Sequence, residues 1–137
     1  MSDQAPQDLF EAAKAAMGNA YAPYSRYPVG AALRTPDGRV FAGCNVENAA
    51  YPQGQCAEAS AIGAMATAGG REITEIVVMA GVEGDGNLPS PCGGCRQRIR
   101  EFAKPETPIY LCGPEGLRAT STLETLLPNS FGPDHLQ

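Results

Sequence analysis

Histidine is almost missing from this chain. Its one copy, His135, stands third from the C-terminus, so mechanisms built on an internal imidazole base find no residue to carry them. Long apolar runs are missing too. No stretch is long enough to cross a bilayer, and the opening Met-Ser-Asp-Gln-Ala-Pro lacks a basic segment followed by an apolar one. Neither a membrane span nor a secretory leader is expected, and the expected location is cytoplasmic. A basic excess is also absent: the net charge is -5 and the pI is about 4.8. Binding to a polynucleotide usually leaves a basic footprint, so no nucleic-acid partner is expected and a small molecule is. Five cysteines without a leader argue against a disulfide framework and for metal or catalytic use. No internal repeat or low-complexity segment is visible, and 137 residues, 43% of them hydrophobic, suit one domain over 1–137.

Periodicity outlines the elements. Leu9, Ala12, Ala13, Ala16 and Met17 recur at helical spacing over 8–17, and Gly18-Asn19 supplies a stop. Residues 29–34 and 39–44 read as strands joined by Thr35-Pro-Asp-Gly38, a hairpin signal. Nearly every residue of 56–68 is small or apolar, which predicts a helix buried on almost all sides and ended by Gly69-Gly70. A central strand is expected over 73–81, a glycine-rich loop over 83–90, a helix over 97–103, and strands over 109–112 and 117–120. Ser121-x-x-Glu124 has the form of a capping box opening a short helix over 122–127. A hairpin followed by alternating strands and helices predicts an α/β fold, a three-layer α/β/α domain with a mixed sheet of about five strands.

The chemistry concentrates at two places. Cys92-x-x-Cys95 alone can be a metal pair, a redox pair or two buried thiols. Cys56 shifts the balance, because three thiolates with a fourth position open make a catalytic rather than a closed zinc site. Glu58 follows Cys56 by two residues. A carboxylate inside a buried segment is costly unless a charge meets it. It can cap its own helix at the positive end of the dipole, or it can reach a metal-bound water without being a ligand. The full set, Cys56-Ala-Glu58 with Pro91-Cys92-Gly-Gly-Cys95, matches the pattern of zinc-dependent nucleobase deaminases. A structural zinc closed by Cys44 or Cys112 is the competing reading, and it leaves Glu58 without a task.

On these residues the chain resembles the cytidine deaminase family, of the short, homotetrameric, three-cysteine zinc type. The similarity runs from Ala20-Tyr-Ala-Pro-Tyr-Ser-Arg-Tyr-Pro-Val-Gly-Ala-Ala32 to Phe131-Gly-Pro133. It is most specific in Asn45-Val-Glu47-Asn48, Cys56-Ala-Glu58 and Ser90-Pro-Cys-Gly-Gly-Cys-Arg-Gln97. The resemblance implies a zinc ion (Zn2+) on Cys56, Cys92 and Cys95, with Glu58 moving protons from an activated water to ring atom N3 and the leaving amino group. It implies that Asn45 and Glu47 hold the ribose hydroxyls, that Ala57 and Ala49 line the substrate site, and that Tyr27 takes the place of a phenylalanine that packs on the pyrimidine. Tyr51 and Phe131 would reach sites in neighbouring subunits of a homotetramer. The implied reaction converts cytidine and deoxycytidine to uridine and deoxyuridine with release of ammonia, a step of pyrimidine salvage. A deaminase of another cytosine-bearing compound, such as the blasticidin S type, would share the zinc motifs, but Glu47 favours a nucleoside because a carboxylate accepts hydrogen bonds from ribose hydroxyls.

One position departs from the family pattern. Three-cysteine relatives often carry an arginine immediately after the glutamate, where it offsets the thiolate charge, and here that residue is Ala59. Helix dipoles, with Arg96 beside Cys95, are expected to take over that role.

Overall fold

The computed structural model describes residues 4–137; the first three residues, part of the segment read above for a leader, lie outside the described residues. The described residues form five strands: β1 (Val29–Arg34), β2 (Val40–Cys44), β3 (Glu75–Ala80), β4 (Pro108–Gly113) and β5 (Gly116–Thr122). They form one mixed sheet in the order β2-β1-β3-β4-β5. Only β3 and β4 pair in parallel, and the other three pairings are antiparallel. Four helices accompany them: α1 (Gln7–Gly18), α2 (Ala57–Thr67), α3 (Gly93–Phe102) and the single turn α4 (Leu123–Leu126).

The layers follow from the two-residue period of the strands. Ile76 and Val78 of β3 face a core shared with Ala57, Ala61 and Met65 of α2 and Ile99 of α3. Val77 and Met79, one residue out of phase, face Leu9 and Ala13 of α1. Each large side chain buried this way stabilises the fold by about 1.5–3 kcal/mol. The expected three-layer α/β/α arrangement with a five-stranded mixed sheet is therefore observed.

Two glycines set the spacing between layers. A Cβ on Gly30 would stand 2.1 Å from the carbonyl oxygen of Ala13, so α1 can lie on β1 only because that atom is missing. A Cβ on Gly43 would meet the Ala61 nitrogen at 2.5 Å and the Ala57 oxygen at 2.8 Å. Gly43 thus brings the first turns of α2 directly onto β2.

Several elements differ from their sequence-based expectation, each for a physical reason. Helix α2 is buried along one face only (Ala57, Glu58, Ala61, Ile62, Met65), while Gly63, Ala64 and Thr67 are exposed. Alanine and glycine look apolar in a sequence window yet tolerate either environment, so composition overstated the burial. Helix α3 begins four residues before the expected start, at Gly93, because Cys92 is already extended and caps it. The capping side chain of α4 is Thr122, which accepts a hydrogen bond from the Thr125 backbone N–H, rather than Ser121. Ser121 and Thr122 both lie in β5, opposite Ile109 and Pro108, and Thr122, as the last residue of the strand, is the one that adjoins the helix.

Candidate metal centre and active site

Both halves of the site are built the same way. Cys56 immediately precedes α2 and Cys92 immediately precedes α3; each has extended backbone angles and stands as the N-cap of its helix. Cys95 follows one turn into α3 and is buried. Hydrogen bonds brace the approach to Cys56: Val46 and Gln55 exchange backbone bonds of 2.9 and 2.8 Å, and the Tyr21 N–H donates to the Asn45 carbonyl at 3.0 Å. This ties the end of β2, with Asn45, to the start of α2.

The three sulfurs of Cys56, Cys92 and Cys95 lie within 4.8 Å of one another. Sulfurs bound at 2.3 Å to a tetrahedral zinc ion stand about 3.8 Å apart, so the cluster has the right size with little adjustment. Its electrostatics point the same way. Burial, followed by the neighbouring thiols and Glu58, pushes the Cys56 and Cys95 thiols up, although Cys95 partly offsets this for Cys56. Cys92 is held below the usual thiol range, chiefly by the backbone N–H of Cys95. Three thiols and an acid that repel one another once ionised are stabilised as anions by a divalent cation. The residues present fit zinc.

No fourth His, Cys, Asp or Glu among the described residues joins the cluster. Cys112 lies in the core on the α1 face of the sheet, and the Cys44 thiol approaches the Asn19 carbonyl at 3.7 Å. Neither closes the site, which removes support for a purely structural zinc.

Glu58 sits in the first turn of α2 and is 4% exposed. Burial raises its carboxyl above the usual carboxylate range, opposed by its own backbone N–H and by the positive charge of Arg98. It lines an open cleft together with Cys56, Cys92, Ala57, Asn45 and Tyr27. Val29, Val78, Ala80, Pro89 and Ser90 complete the walls. Sequence reasoning missed these five as site residues. Pro89 and Ser90 could have been found from their place beside Pro91-Cys92, whereas Val78 and Ala80 look like any other strand residues.

The remaining candidates occupy other positions. Asn45 is engaged on both sides of its amide: Oδ1 accepts from the Val29 N–H at 2.8 Å and Nδ2 donates to the Tyr27 carbonyl at 2.9 Å. The Glu47 carboxylate accepts from the backbone N–H groups of Tyr24 at 2.9 Å and Ser25 at 3.1 Å, and from the Ser25 hydroxyl. These bonds, the hydroxyl first, hold it below the ordinary carboxylate range. Glu47 and Tyr51 line a neighbouring depression with Tyr24, and Ala49 is exposed on the loop between Glu47 and Tyr51. Phe131 is 56% exposed and stacks on His135 at 5.0 Å between ring centres. Its backbone is held to α3, where Gln97 donates to the Phe131 carbonyl at 2.9 Å and Arg100 bonds Ser130 at 2.9 Å and Asp134 at 2.6 Å. The tail aromatic, which has little reason to be ordered by itself, is thus anchored by a helix of its own chain.

Arg96 does not reach the cysteines as expected. Its guanidinium donates to the carbonyls of Pro91 and Leu126, both at 2.8 Å. The arginine beside a site sulfur is Arg98, with Nη1 at 3.7 Å from Cys95 Sγ.

Comparison with known proteins agrees with this geometry. Residues 3–111 match the family described as the cytidine and deoxycytidylate deaminase zinc-binding region. A cytidine deaminase from Sporosarcina psychrophila is 41% identical over 130 residues, covering 95% of this chain and 93% of that protein. One from Mycobacterium tuberculosis is 44% identical over 126 residues, covering 91% and 87%. The crystal structure of cytidine deaminase from Burkholderia pseudomallei superposes with a TM-score of 0.83 at 42% identity, covering 96% of this chain and all of that one. With Cys56, Cys92 and a buried glutamate lining one cleft, with Cys95 completing the thiol cluster, and with the family match covering both halves of that site, the chain belongs to the cytidine and deoxycytidylate deaminase zinc-binding family.

Proposed function

We propose that this chain is a zinc-dependent enzyme that hydrolytically deaminates cytidine and deoxycytidine to uridine and deoxyuridine, releasing ammonia, in the manner of pyrimidine salvage. The observation that carries the reading is the buried Glu58 carboxyl lining the same cleft as Cys56 and Cys92, two of the three clustered thiols. Cys56, Cys92 and Cys95 would hold the ion. When bound, zinc lowers the pKa of a water enough to make it a nucleophile near neutral pH.

The rest of the chemistry falls to side chains. Glu58 takes a proton from the attacking water and passes it to ring atom N3, which makes C4 electrophilic. Once the water oxygen has bonded to C4, Glu58 takes the proton of the new C4 hydroxyl. It delivers that proton to the 4-amino nitrogen as the C4–N bond breaks and the C4 carbonyl forms. The N3 proton stays in the product. One carboxyl serves as base and acid because it returns each of the two protons before or as the next is needed. Burial moves Glu58 toward the range in which both roles are accessible. Tyr27 would pack on the pyrimidine, while Ala57, without a bulky side chain, leaves room for the ring in the cleft.

Asn45 would meet the ribose from the cleft wall, and Glu47, with Ala49 on the same loop, from the adjoining depression. The unit read as catalytic is the single domain over 1–137, and the enzyme is read as a cytoplasmic homotetramer. Support for an assembly comes from the exposed rings of Tyr21, Tyr24, Tyr51 and Phe131, and from the fact that Tyr51 and Phe131 do not line their own chain's cleft. Five free thiols suit a reducing compartment. No helix among the described residues is long and apolar enough to cross a membrane.

The direct test follows the fall in ultraviolet absorbance as cytidine becomes uridine, before and after treatment with a zinc chelator. Turnover that chelation abolishes and added zinc restores is expected. Fresh zinc-loaded protein that leaves both cytidine and deoxycytidine unchanged overturns the reading.

A further inference from the structure

Three thiolates around a divalent ion leave one excess negative charge, and Glu58 adds a carboxyl beside them. The residue next to Glu58 in the first turn of α2 is Ala59, which carries no charge, and the first turn of α3 has no acidic side chain. Arg96 is committed to the Pro91 and Leu126 carbonyls. Arg98 behaves differently. Helical side chains lean toward the N-terminus, over the residues three and four positions earlier. For Arg98 those are Cys95 and Gly94. Its Nη1 lies 3.7 Å from Cys95 Sγ, and a Cβ on Gly94 would stand only 3.3 Å from that same nitrogen. The bare glycine therefore leaves the guanidinium a seat on the first turn of α3.

That seat is unfavourable for an arginine taken alone. A cation drawn toward a helix N-terminus works against the helix dipole, so an anion must draw it there. The anions available are the site thiolates. The charge of Arg98 also reaches Glu58, where it favours the ionised carboxyl.

We propose that Arg98 is the positioning residue that offsets the excess charge of the zinc–thiolate cluster, so that it tightens zinc binding through Cys95. This rests on the reading of Cys56, Cys92 and Cys95 as zinc ligands. The partners of metal ligands commonly change metal affinity 10–100-fold. Because Arg98 is exposed, the effect belongs at the lower end of that range and is screened by salt.

The test starts from zinc-loaded protein and measures zinc affinity by competition with a chromophoric chelator, for the wild type, R98A, R98K and R98E, at low and high salt. Circular dichroism of the same samples verifies the fold. R98A should weaken zinc binding about tenfold, R98K should recover most of the loss, R98E should weaken it further, and all differences should shrink at high salt. Equal affinity across the four proteins overturns the inference. So does a loss in R98A that lysine does not recover and salt does not change, since that marks packing rather than charge. Cytidine turnover of the wild type, measured on the same preparation, separates the two readings. Protein that binds zinc but leaves cytidine unchanged overturns the deaminase reading and not this one.

Discussion

The two helix N-termini that meet at the metal centre both place a cysteine at the N-cap position, and they lean on different balances of contacts. The α2 half is held by close apolar contact. Its first turns press on β2 across Gly43, and Ala57, Ala61 and Met65 are fully buried. The α3 half also buries Cys95 and Ile99, but adds charge and hydrogen bonds. The loop before it, residues 82–90, is gathered by the Arg118 guanidinium, which bonds Asp85 at 2.5 Å and the carbonyls of Asn87 and Val82 at 2.6 and 2.7 Å. Glu115 holds the same guanidinium at 2.9 Å. Arg96, Gln97 and Arg100 then tie α3 to the C-terminal segment. The difference matches the chemistry each half carries. An acid whose proton affinity depends on exclusion of water needs a wall that does not loosen. A half that meets solvent and the chain's tail can rest on polar contacts.

The largest expected effect separates the halves by chemistry. Glu58→Gln should lower turnover on the order of 10²–10⁴-fold, the usual contribution of a general acid–base group. Zinc content, read by metal analysis, should stay unchanged, because Glu58 lies outside the thiol cluster. Zinc lost together with activity would make the acid part of the metal's support and dissolve the distinction drawn here.

Gly43→Ala comes next. Its Cβ would meet the α2 backbone itself, which cannot rotate away. Overpacking of this kind typically costs about 1–3 kcal/mol. Thermal unfolding should show a lower midpoint by a margin that salt and mild acid leave unaltered. A loss that varied strongly with salt would show that the α2 half, too, depends on charge.

Glu115→Gln is expected to have the smallest effect and the opposite signature. Pairing with Arg118 depresses the Glu115 carboxyl from 4.5 to about 2. A folded-state pKa below the unfolded one gives stability that is present above the unfolded value and disappears as pH falls through the folded one. The wild type should therefore melt above E115Q at neutral pH, and the gap should close between about pH 4.5 and about 2. Parallel melting curves across that window would mean the loop is held by packing, as α2 is.

Much of this was legible in the residues, for reasons that are local. Strand β1 was read with its observed bounds, because a short run of small and apolar residues ended by a turn signal is a short-range pattern. The turn at Thr35–Gly38 was legible because only glycine readily takes the positive φ of +88° found at Gly38. The thiols and the acid were legible as a set because few chemistries need two cysteines of a Pro-Cys-x-x-Cys pair, a third cysteine, and a glutamate two residues after it. What could not be read depended on partners distant in sequence. Thr122 rather than Ser121 caps α4 because strand β5 runs on through Thr122, which sets the helix start at Leu123. The one-sided burial of α2 depends on which neighbours cover it, and alanine is silent on that point.

The arginines mark the boundary most clearly. Arg96 and Arg98 are two residues apart on one helix, and the sequence alone favoured the one adjoining Cys95. The residue types themselves determined the donor set, the acid and the alternation that sorts side chains onto the two faces of the sheet. Tertiary structure decided the strand order, the meeting of two helix N-termini from distant parts of the chain, and the choice of Arg98. Neighbours on a helix surface are three and four residues apart, so arginines two apart point to different surroundings. Only the folded chain determines that Arg96 finds the carbonyls of Pro91 and Leu126 while Arg98 finds a sulfur.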